Sequence, residues 1–539
     1  PPPPPPPTTD ISSAASDVYK RQLLLENEDF GGAARAYEST AYDYVAHEQA
    51  AAAGYAAIYA HREHQKVAVG AQTAMVRSDA VTSTLRFVEA FPGHEHADVV
   101  LGAAVDDLYD MERYELAIEN GRKLIADYPG ATPEIRRSAW VVVAHASFDT
   151  AAYVEAEDAY MRVLEMTDAD DETRQAVVDN LAASIYKQGE QANVMEDYRA
   201  AADHFLRIRA VAPSSEVRPA AEYDAGAALM RLQDWTMAAQ VLDDFRRTFP
   251  DHELNRDATR QIATVYREDG QLARAAAEYE RVSAESDDPV LGRESLLLAG
   301  ELYEESAVGD SALDVYLRYV EQYPEPVEIA VETRHKIAGM YREAVDFEAY
   351  HAQLEQIVRM DGEAGDGRTA RTRYLAAQSS LVLAQVTFRL FDEIELMQPF
   401  EQSLQAKQVG MDETIAALER LVDYEVAEVT AAATYYMAET YLDFSRSLLE
   451  SERPADLSGT DLQDYEMVLE EEAWPFEERA IEVHEKNLEL MVAGHFNTWI
   501  EQSLGELAGL MPGRYAKFEE SSGFIVSIDS YAYRSPSAP

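Results

Sequence analysis

The chain of 539 residues contains no cysteine. Disulfides, cysteine-ligated zinc and thiol catalysis are therefore all excluded. Basic residues are scarce as well, because 46 Lys and Arg stand against 99 Asp and Glu, and the formal net charge is −53. A protein with so strong a negative field repels phosphate backbones, so we expect no nucleic-acid partner.

Long apolar runs and the common catalytic motifs are also missing. No stretch reaches the roughly 18 apolar residues that a membrane-spanning helix needs, so we expect no membrane span in this chain. The patterns GxxxxGK[ST], GxSxG and HExxH do not occur, and we expect no cofactor. His61 with His64 and His94 with His96 form two close pairs. A metal site would need a third ligand, and we expect surface histidines instead.

The two ends of the chain differ in composition from the rest. Residues 1–22 begin with seven prolines and contain SAASDVYKRQ, which resembles a translated adapter sequence. We predict that this segment is disordered and non-native, and that any export signal or anchor of the natural protein precedes Leu23. Residues 521–539 are predicted to be a flexible tail.

The proline residues reveal a repeat. We call the residue fifteen positions before Pro129, Pro213 or Pro250 an anchor. An alanine lies three positions after each of these anchors. The anchors are Arg77, Tyr114, Tyr153, Tyr198, Trp235, Leu272, Gly309 and Phe347. Four of the intervals between successive anchors are 37 residues long. The interval that ends at Tyr153 is 39 residues, and the one that ends at Phe347 is 38 residues. A period of this size is typical of a stacked repeat architecture.

Helix geometry explains the repeat. Small residues recur nine positions before the anchors, at Gly226, Ala263, Gly300 and Ala338, and small residues let two helix backbones approach closely. A proline ends the second helix of each pair, and one pair must stack on the next to bury its apolar face. The pattern predicts an all-α solenoid of antiparallel helix pairs, with the anchor on the second helix. It also predicts nearly full burial of four alanines, namely Ala201, Ala238, Ala275 and Ala312.

The repeat resembles the tetratricopeptide repeat (TPR). The residues that carry the resemblance are Gly226, Leu229, Trp235, Ala238, Leu242, Phe245 and Pro250. The unit departs from the usual length of 34 residues by three, around FPDHELNRDA. This longer form looks like the repeats of Gram-negative envelope proteins such as the Tol-Pal coordinator and the lipoprotein subunit of the outer-membrane assembly complex. The resemblance implies a TPR-like α-solenoid over residues 23–361 and a periplasmic or outer-membrane-associated location.

The 37-residue period is lost after RMDGEAGDGRTA. Residues 362–520 are predicted to form a C-terminal helical domain that closes the array. The stretches AWPFEERAIEVHEKNLEL and GRYAKFEE resemble the C-terminal region of long TPR proteins linked to gliding-motility-type envelope systems. Five Glu surround Trp474 and Phe476. Trp474 could be an exposed anchor for a partner, but we expect it to pack inward.

The first helix of each pair is expected to line a concave groove that binds peptides. Counting onto that face gives the candidate partner-binding residues Tyr223, Arg231, Arg260 and Arg267. Because arginine is scarce in this acidic chain, such a cluster could receive an acidic or C-terminal carboxylate of another protein. The alternative is that these arginines only neutralise neighbouring carboxylates such as Asp257.

Three functions remain open at this point. The first is a non-catalytic protein-protein interaction scaffold that assembles a cell-envelope complex. The second is a cytoplasmic regulatory or chaperone-like binding module with the same fold. The third is an enzyme with its site in the C-terminal helical domain, which a deep pocket with convergent polar groups would support. A signal peptide or lipobox upstream of Leu23 would favour the first over the second.

Overall fold

The computed structural model describes residues 20–44, 47–70, 72–492 and 494–516. Within these ranges the regular secondary structure is helical, and no strand occurs. Residues 20–26 are helical, whereas most of the two predicted terminal segments lies outside the described residues. The chain divides into two compact units, residues 1–278 and 279–539, which are described separately. The predicted boundary at 361/362 stays a prediction.

The first unit consists of short helices in tandem. They are α1 (Phe30–Tyr42), α2 (Ala50–Val67), α3 (Gln72–Ala90), α4 (Ala97–Asp110), α5 (Tyr114–Asp127), α6 (Pro133–Asp149), α7 (Tyr153–Glu165), α8 (Arg174–Val194), α9 (Tyr198–Val211), α10 (Arg218–Arg231), α11 (Trp235–Thr248) and α12 (Asn255–Glu268). The next helix, α13 (Leu272–Glu285), begins in the first unit and ends in the second.

The second unit continues with helix pairs and then changes to longer helices. They are α14 (Pro289–Glu305), α15 (Gly309–Gln322), α16 (Val327–Glu343), α17 (Phe347–Glu363), α18 (Ala370–Asp392), α19 (Phe400–Val422), α20 (Ala427–Glu450), α21 (Thr460–Val492), α22 (Thr498–Leu510) and α23 (Pro512–Tyr515). A single 3₁₀ turn (Gly365–Gly367) precedes α18. None of the helices in the described part of the chain combines the length and the apolar character required to span a membrane.

The predicted repeat register is confirmed. Seven of the eight anchors, from Tyr114 to Phe347, are the first residue of a helix, and Arg77 lies inside α3. Consecutive helices contact each other from α1 to α12 in the first unit and from α14 to α23 in the second, as expected for antiparallel pairs joined by short turns. The four alanines predicted to be buried are all 0% exposed. The fold is therefore an all-α, TPR-like helical solenoid.

The turn inside each pair has a feature that the sequence pattern did not indicate. The residue two positions before the anchor has a positive φ, and from α4 onward these residues are Glu112, Ala151, Glu196, Gln233, Gly270, Ala307 and Val345. In one such turn Asp234 donates its N–H to Leu229 O at 3.0 Å, the long bond of a Schellman motif. Its side chain then caps α11 by accepting from Met237 N. Only Gly270 has the residue type that this backbone favours, so the glycine signal for the turn is absent elsewhere.

The small residues before the anchors allow close contacts between the helices of a pair. A Cβ added at Gly226 would lie 2.5 Å from Leu242 Cδ2, and one added at Gly300 would lie 2.5 Å from Tyr316 Cε1. Gly189, at the equivalent position of another pair, would meet Phe205 at 2.5 Å. In each case the large partner lies seven residues after the anchor. Helix pairing in these copies thus depends on a glycine opposite a large side chain.

The histidines differ in part from the expectation. His61 is only 7% exposed, and its Nε2 lies 3.2 Å from Glu38 Oε1, so its predicted surface location is wrong. The carboxylate provides a partner for Nε2, whereas Nδ1 is buried and has no hydrogen-bond partner among the described residues. His94 and His96 both contact the ring of Tyr55, at centroid distances of 5.5 and 4.9 Å. Among the described residues, no three side chains of the metal-binding types converge.

The expectation for Trp474 is also wrong. Its side chain is 59% exposed, whereas Ala473 beside it is 2% exposed. The ring of Phe476 packs on Phe444 with centroids 4.5 Å apart. Because α21 continues through Pro475, its helical period directs Ala473 and Phe476 to the core and leaves Trp474 on the outer face.

Candidate functional site

The first helices of three successive pairs, α8, α10 and α12, present equivalent side chains in the first unit. Twelve residues before the anchors lie Tyr186, Tyr223 and Arg260. The hydroxyl of Tyr186 donates to Asp224 on the next first helix. In the following repeat Gln261 Nε2 donates to Tyr223 Oη at 2.6 Å. Each tyrosine is thus tied to the neighbouring first helix, and we call this row the tyrosine ladder.

Arg260 lies close to Tyr223, as the sequence predicted. Burial raises the pKa of Tyr223, the charge of Asp224 raises it further, and the charge of Arg260 lowers it. Arg260 also pairs with Asp257 three residues earlier on the same helix. Its side chain is 48% exposed, so this pair contributes little to stability.

Arg267 lies two helical turns after Arg260 on the same face of α12. Its guanidinium is 3.3 Å from Glu268 Oε1. Two of the three predicted arginines therefore have a carboxylate partner on their own helix, which is the arrangement that the alternative interpretation predicts. Whether they also bind a partner protein stays a prediction.

Arg231, the last residue of α10, differs from the other two arginines. No carboxylate in the described part of the chain lies within ion-pair distance of its guanidinium. It lines a pocket of about 230 Å³ that α8 and α10 form together with Phe205 of α9. The pocket is also lined by Tyr186 and Glu190 of α8 and by Asp224 of α10. The pocket therefore joins a free guanidinium and two acidic groups.

The acidic wall of this pocket is partly withdrawn from water. Burial raises the pKa of Asp224 and the hydrogen bond from Tyr186 lowers it, while the nearby Glu190 raises it again. Burial and the carboxylate of Asp224 also raise the pKa of the Tyr186 hydroxyl well above its usual value. Such a pocket can accept a carboxylate at Arg231 and an N–H or cationic donor at Glu190 and Asp224.

The sequence interpretation missed Tyr186, Glu190 and Asp224. Tyr186 occupies the same position relative to Tyr198 as Tyr223 does to Trp235, so counting one repeat further upstream would have found it. The two acids give no signal in the sequence, because acidic residues are abundant everywhere in this chain. Glu190 becomes relevant only because the fold brings α8 beside α10, which carries both Asp224 and Arg231.

A second polar cluster lies in the second unit, where an enzyme site remained an alternative. Ser503 Oγ is 3.1 Å from His484 Nδ1, and His484 Nε2 is 3.5 Å from Glu439 Oε1. The chain of contacts from Ser503 through His484 to Glu439 resembles the nucleophile, base and acid of a catalytic triad. However, Ser503 and His484 are both 0% exposed, and Asn487 Nδ2 also donates to Ser503 Oγ at 2.9 Å. The cluster joins α20, α21 and α22 and offers a substrate no path to the hydroxyl.

Neither the family models nor the curated proteins contain a match to this chain. Solved structures of TPR proteins are similar in part. A tetratricopeptide repeat protein from Parabacteroides merdae shares 14% identity, with 51% of this chain and 96% of that chain covered and a TM-score of 0.22. The C-terminal part of a TPR protein from Cytophaga hutchinsonii shares 16% identity, with 50% and 99% covered and a TM-score of 0.24. The TPR2AB domain of yeast Sti1 in complex with pHSP90 shares 14% identity, with 54% and 98% covered and a TM-score of 0.20.

Proposed function

We propose that this protein is a non-catalytic interaction scaffold that binds a peptide segment of a partner on the first-helix face of its first unit. The observation that carries the proposal is the free guanidinium of Arg231 in a pocket between consecutive first helices. In a chain with a net charge of −53, an arginine without a carboxylate partner is available to bind an anion bidentately.

The partner segment would be oriented by three groups. A C-terminal or side-chain carboxylate pairs with Arg231, and a donor group of the peptide reaches Glu190 or Asp224. Arg260 and Arg267 add positive charge further along the face. Each would release the exposed carboxylate beside it on its own helix and pair with an acidic group of the partner instead. The tyrosine ladder holds the helices in place, so the face requires little rearrangement on binding.

We further propose that the complex assembled in this way belongs to the cell envelope and that the protein is periplasmic or outer-membrane associated. The 37-residue repeats with their terminal YP or FP support this proposal through their resemblance to envelope TPR proteins. A cytoplasmic binding module is the second candidate. The nucleotide sequence upstream of the codon for Leu23 distinguishes the two, because an export signal or lipobox favours the envelope.

Peptide selection tests the binding face. The wild-type protein is used to select binders from a random peptide library with free C termini, and each binder is then remeasured with an amidated C terminus. We expect amidation or replacement of all three arginines, R231A/R260A/R267A, to weaken binding at least tenfold. Arg231→Ala alone should account for most of this loss. Arg209→Ala is the matched control, because Arg209 is an exposed arginine on the second helix α9.

Two results would contradict the proposal. Equal binding by the wild-type protein and the triple variant would show that the arginines of this face bind no carboxylate. A triple variant that melts much earlier than the wild-type protein would show that these arginines are structural, contrary to the small effect expected for exposed, screened charges.

A further inference from the structure

A pocket of about 520 Å³ lies in the second unit, among α17, α18, α19 and the turn after α19. It exists because small residues face each other where larger ones would fill the space. Ser380 and Ala384 lie one turn apart on α18, and Ala417 lies on α19. Leu383 and Leu421 form apolar walls beside them. The volume is in the range of small-molecule sites.

Polar groups converge at one end of this pocket. Tyr424 Oη and Ser380 Oγ are 3.2 Å apart. Arg368 lies over the ring of Tyr424, and its Nη2 is 2.7 Å from the buried Asp361. Asp361 is 1% exposed, so this ion pair holds Arg368 in a defined position in the lining of the pocket.

Arg420 is the second arginine of the pocket, and its charge is not neutralised. It lies one turn after Ala417 on α19, and Tyr424 follows in the turn after the helix. Throughout the described ranges, no Asp or Glu approaches its guanidinium to ion-pair distance. The lining residue Asp423, although only three residues further along the chain, forms no pair with it.

We propose that this pocket binds a carboxylate that is attached to an aliphatic group. Arg420 pairs with the carboxylate, the hydrogen-bonded hydroxyls of Tyr424 and Ser380 together offer one further donor, and the alkyl chain packs between Leu383, Ala417 and Leu421. A monoanion fits better than a phosphate dianion, because the pocket offers a single unpaired arginine and the carboxylate of the lining residue Asp423 repels a second negative charge. The site is independent of the peptide-binding face proposed above, since it uses residues of the second unit only.

Two sources can supply this chemistry, a free fatty acid or the apolar C-terminal residue of a peptide. Calorimetric titration with decanoate tests the first, and titration with N-acetyl-Leu-Leu in its free-acid and amide forms tests the second. Decanol, which is uncharged, and decyl phosphate, which can carry two negative charges, test whether the pocket prefers a monoanion. We expect one binding site for decanoate and at least tenfold weaker binding of decanol and decyl phosphate.

Three variants make the test specific. Arg420→Gln removes the proposed partner of the carboxylate, and Ala417→Leu fills the pocket with an apolar side chain that suits a helix. Both should weaken decanoate binding at least tenfold without lowering the melting temperature. Arg389→Gln, an exposed arginine of α18 that does not line the pocket, is the matched control and should bind like the wild-type protein.

Each outcome decides a part of the proposal. Unchanged decanoate binding by Arg420→Gln or Ala417→Leu would overturn the site, as would equal binding of decanol. No binding of either decanoate or the free-acid dipeptide would overturn the ligand class. Tighter binding of the free-acid dipeptide, lost on amidation, would support the site and identify a peptide C terminus as its source.

Discussion

The repeated helix pairs and the long C-terminal helices pack by different means. In the pairs, a glycine such as Gly226 or Gly300 faces one large apolar or aromatic side chain. The long helices α18 to α21 have 23, 23, 24 and 33 residues and enclose polar groups instead. Lys407, His484 and Asn487 are all 0% exposed there. Size complementarity thus explains the close contacts of the pairs, whereas the long helices also bury charged, imidazole and amide side chains between them.

The difference has a physical reason. A repeated contact needs only a small and a large residue at a fixed spacing, and the same solution serves every copy. A long helix can slide along its neighbour by a full turn with little change in apolar contact, and a buried polar group that has one partner disfavours the shifted arrangements. Such groups are known to specify register in coiled coils. We propose the same role for Lys407.

The largest effect is expected for Lys407→Met in the region of long helices. Lys407 Nζ lies 2.6 Å from Asp443 Oδ2 and donates to Phe391 O at 3.0 Å. Removing one member of a buried pair leaves the other uncompensated, which costs about 3 kcal/mol of unfolding free energy. Urea denaturation followed by circular dichroism measures the change. The double variant K407M/D443L should recover most of the loss.

The pH dependence of this variant sharpens the test. Burial raises the pKa of Asp443, and Lys407 lowers it. A carboxyl whose pKa is higher in the folded protein than in the unfolded chain contributes stability at a pH below its pKa in the unfolded chain. This contribution is lost as the pH rises through its pKa in the folded protein. Without Lys407 the folded pKa rises further, so the deficit of Lys407→Met should be larger at about pH 7 than at about pH 4. A deficit that does not change with pH would contradict this account.

A smaller loss is expected from overpacking a repeated pair. Gly226→Leu inserts a side chain where even a Cβ would meet Leu242 at 2.5 Å, and such overpacking costs about 1–3 kcal/mol. The midpoint of urea denaturation should fall, and adding Leu242→Ala should restore part of it. Gly309→Ala is the control, because no heavy atom lies within 4 Å of its added Cβ. If both glycine variants were equally stable, size complementarity would not explain the pairing.

The smallest effect is a gain in stability at a turn. Val345 has a φ of 62°, and a left-handed conformation costs a residue with a Cβ roughly 1–2 kcal/mol. Val345→Gly removes this cost and adds chain entropy to the unfolded state, so we expect a net gain of about 0.5–1 kcal/mol. Gly270→Val at the equivalent turn, where φ is 72°, should lower stability. A rise in the melting temperature of the first variant and a fall in the second would confirm that the turn geometry is imposed on the sequence.

Much of the fold could be predicted from the sequence, but little of the two pockets could. The anchors, the buried alanines and the proline stops repeat at one spacing, so each copy supports the interpretation of the next. The pocket at Arg231 brings together Glu190 and Asp224 from neighbouring helices, and the pocket at Arg420 involves residues from Val358 to Tyr424. Neither set repeats, so neither gives a periodic signal.

The sequence by itself determined the helical class, the 37-residue register and the burial of Ala201, Ala238, Ala275 and Ala312, because local spacing decides which residues share a helix face. Only the tertiary structure decided that Glu190 of a neighbouring helix lies in one pocket with Arg231, that Trp474 is exposed and that His61 is buried. These properties depend on which side chains of other helices come near, and in a chain with 99 acidic residues composition cannot identify the carboxylates that meet a given arginine.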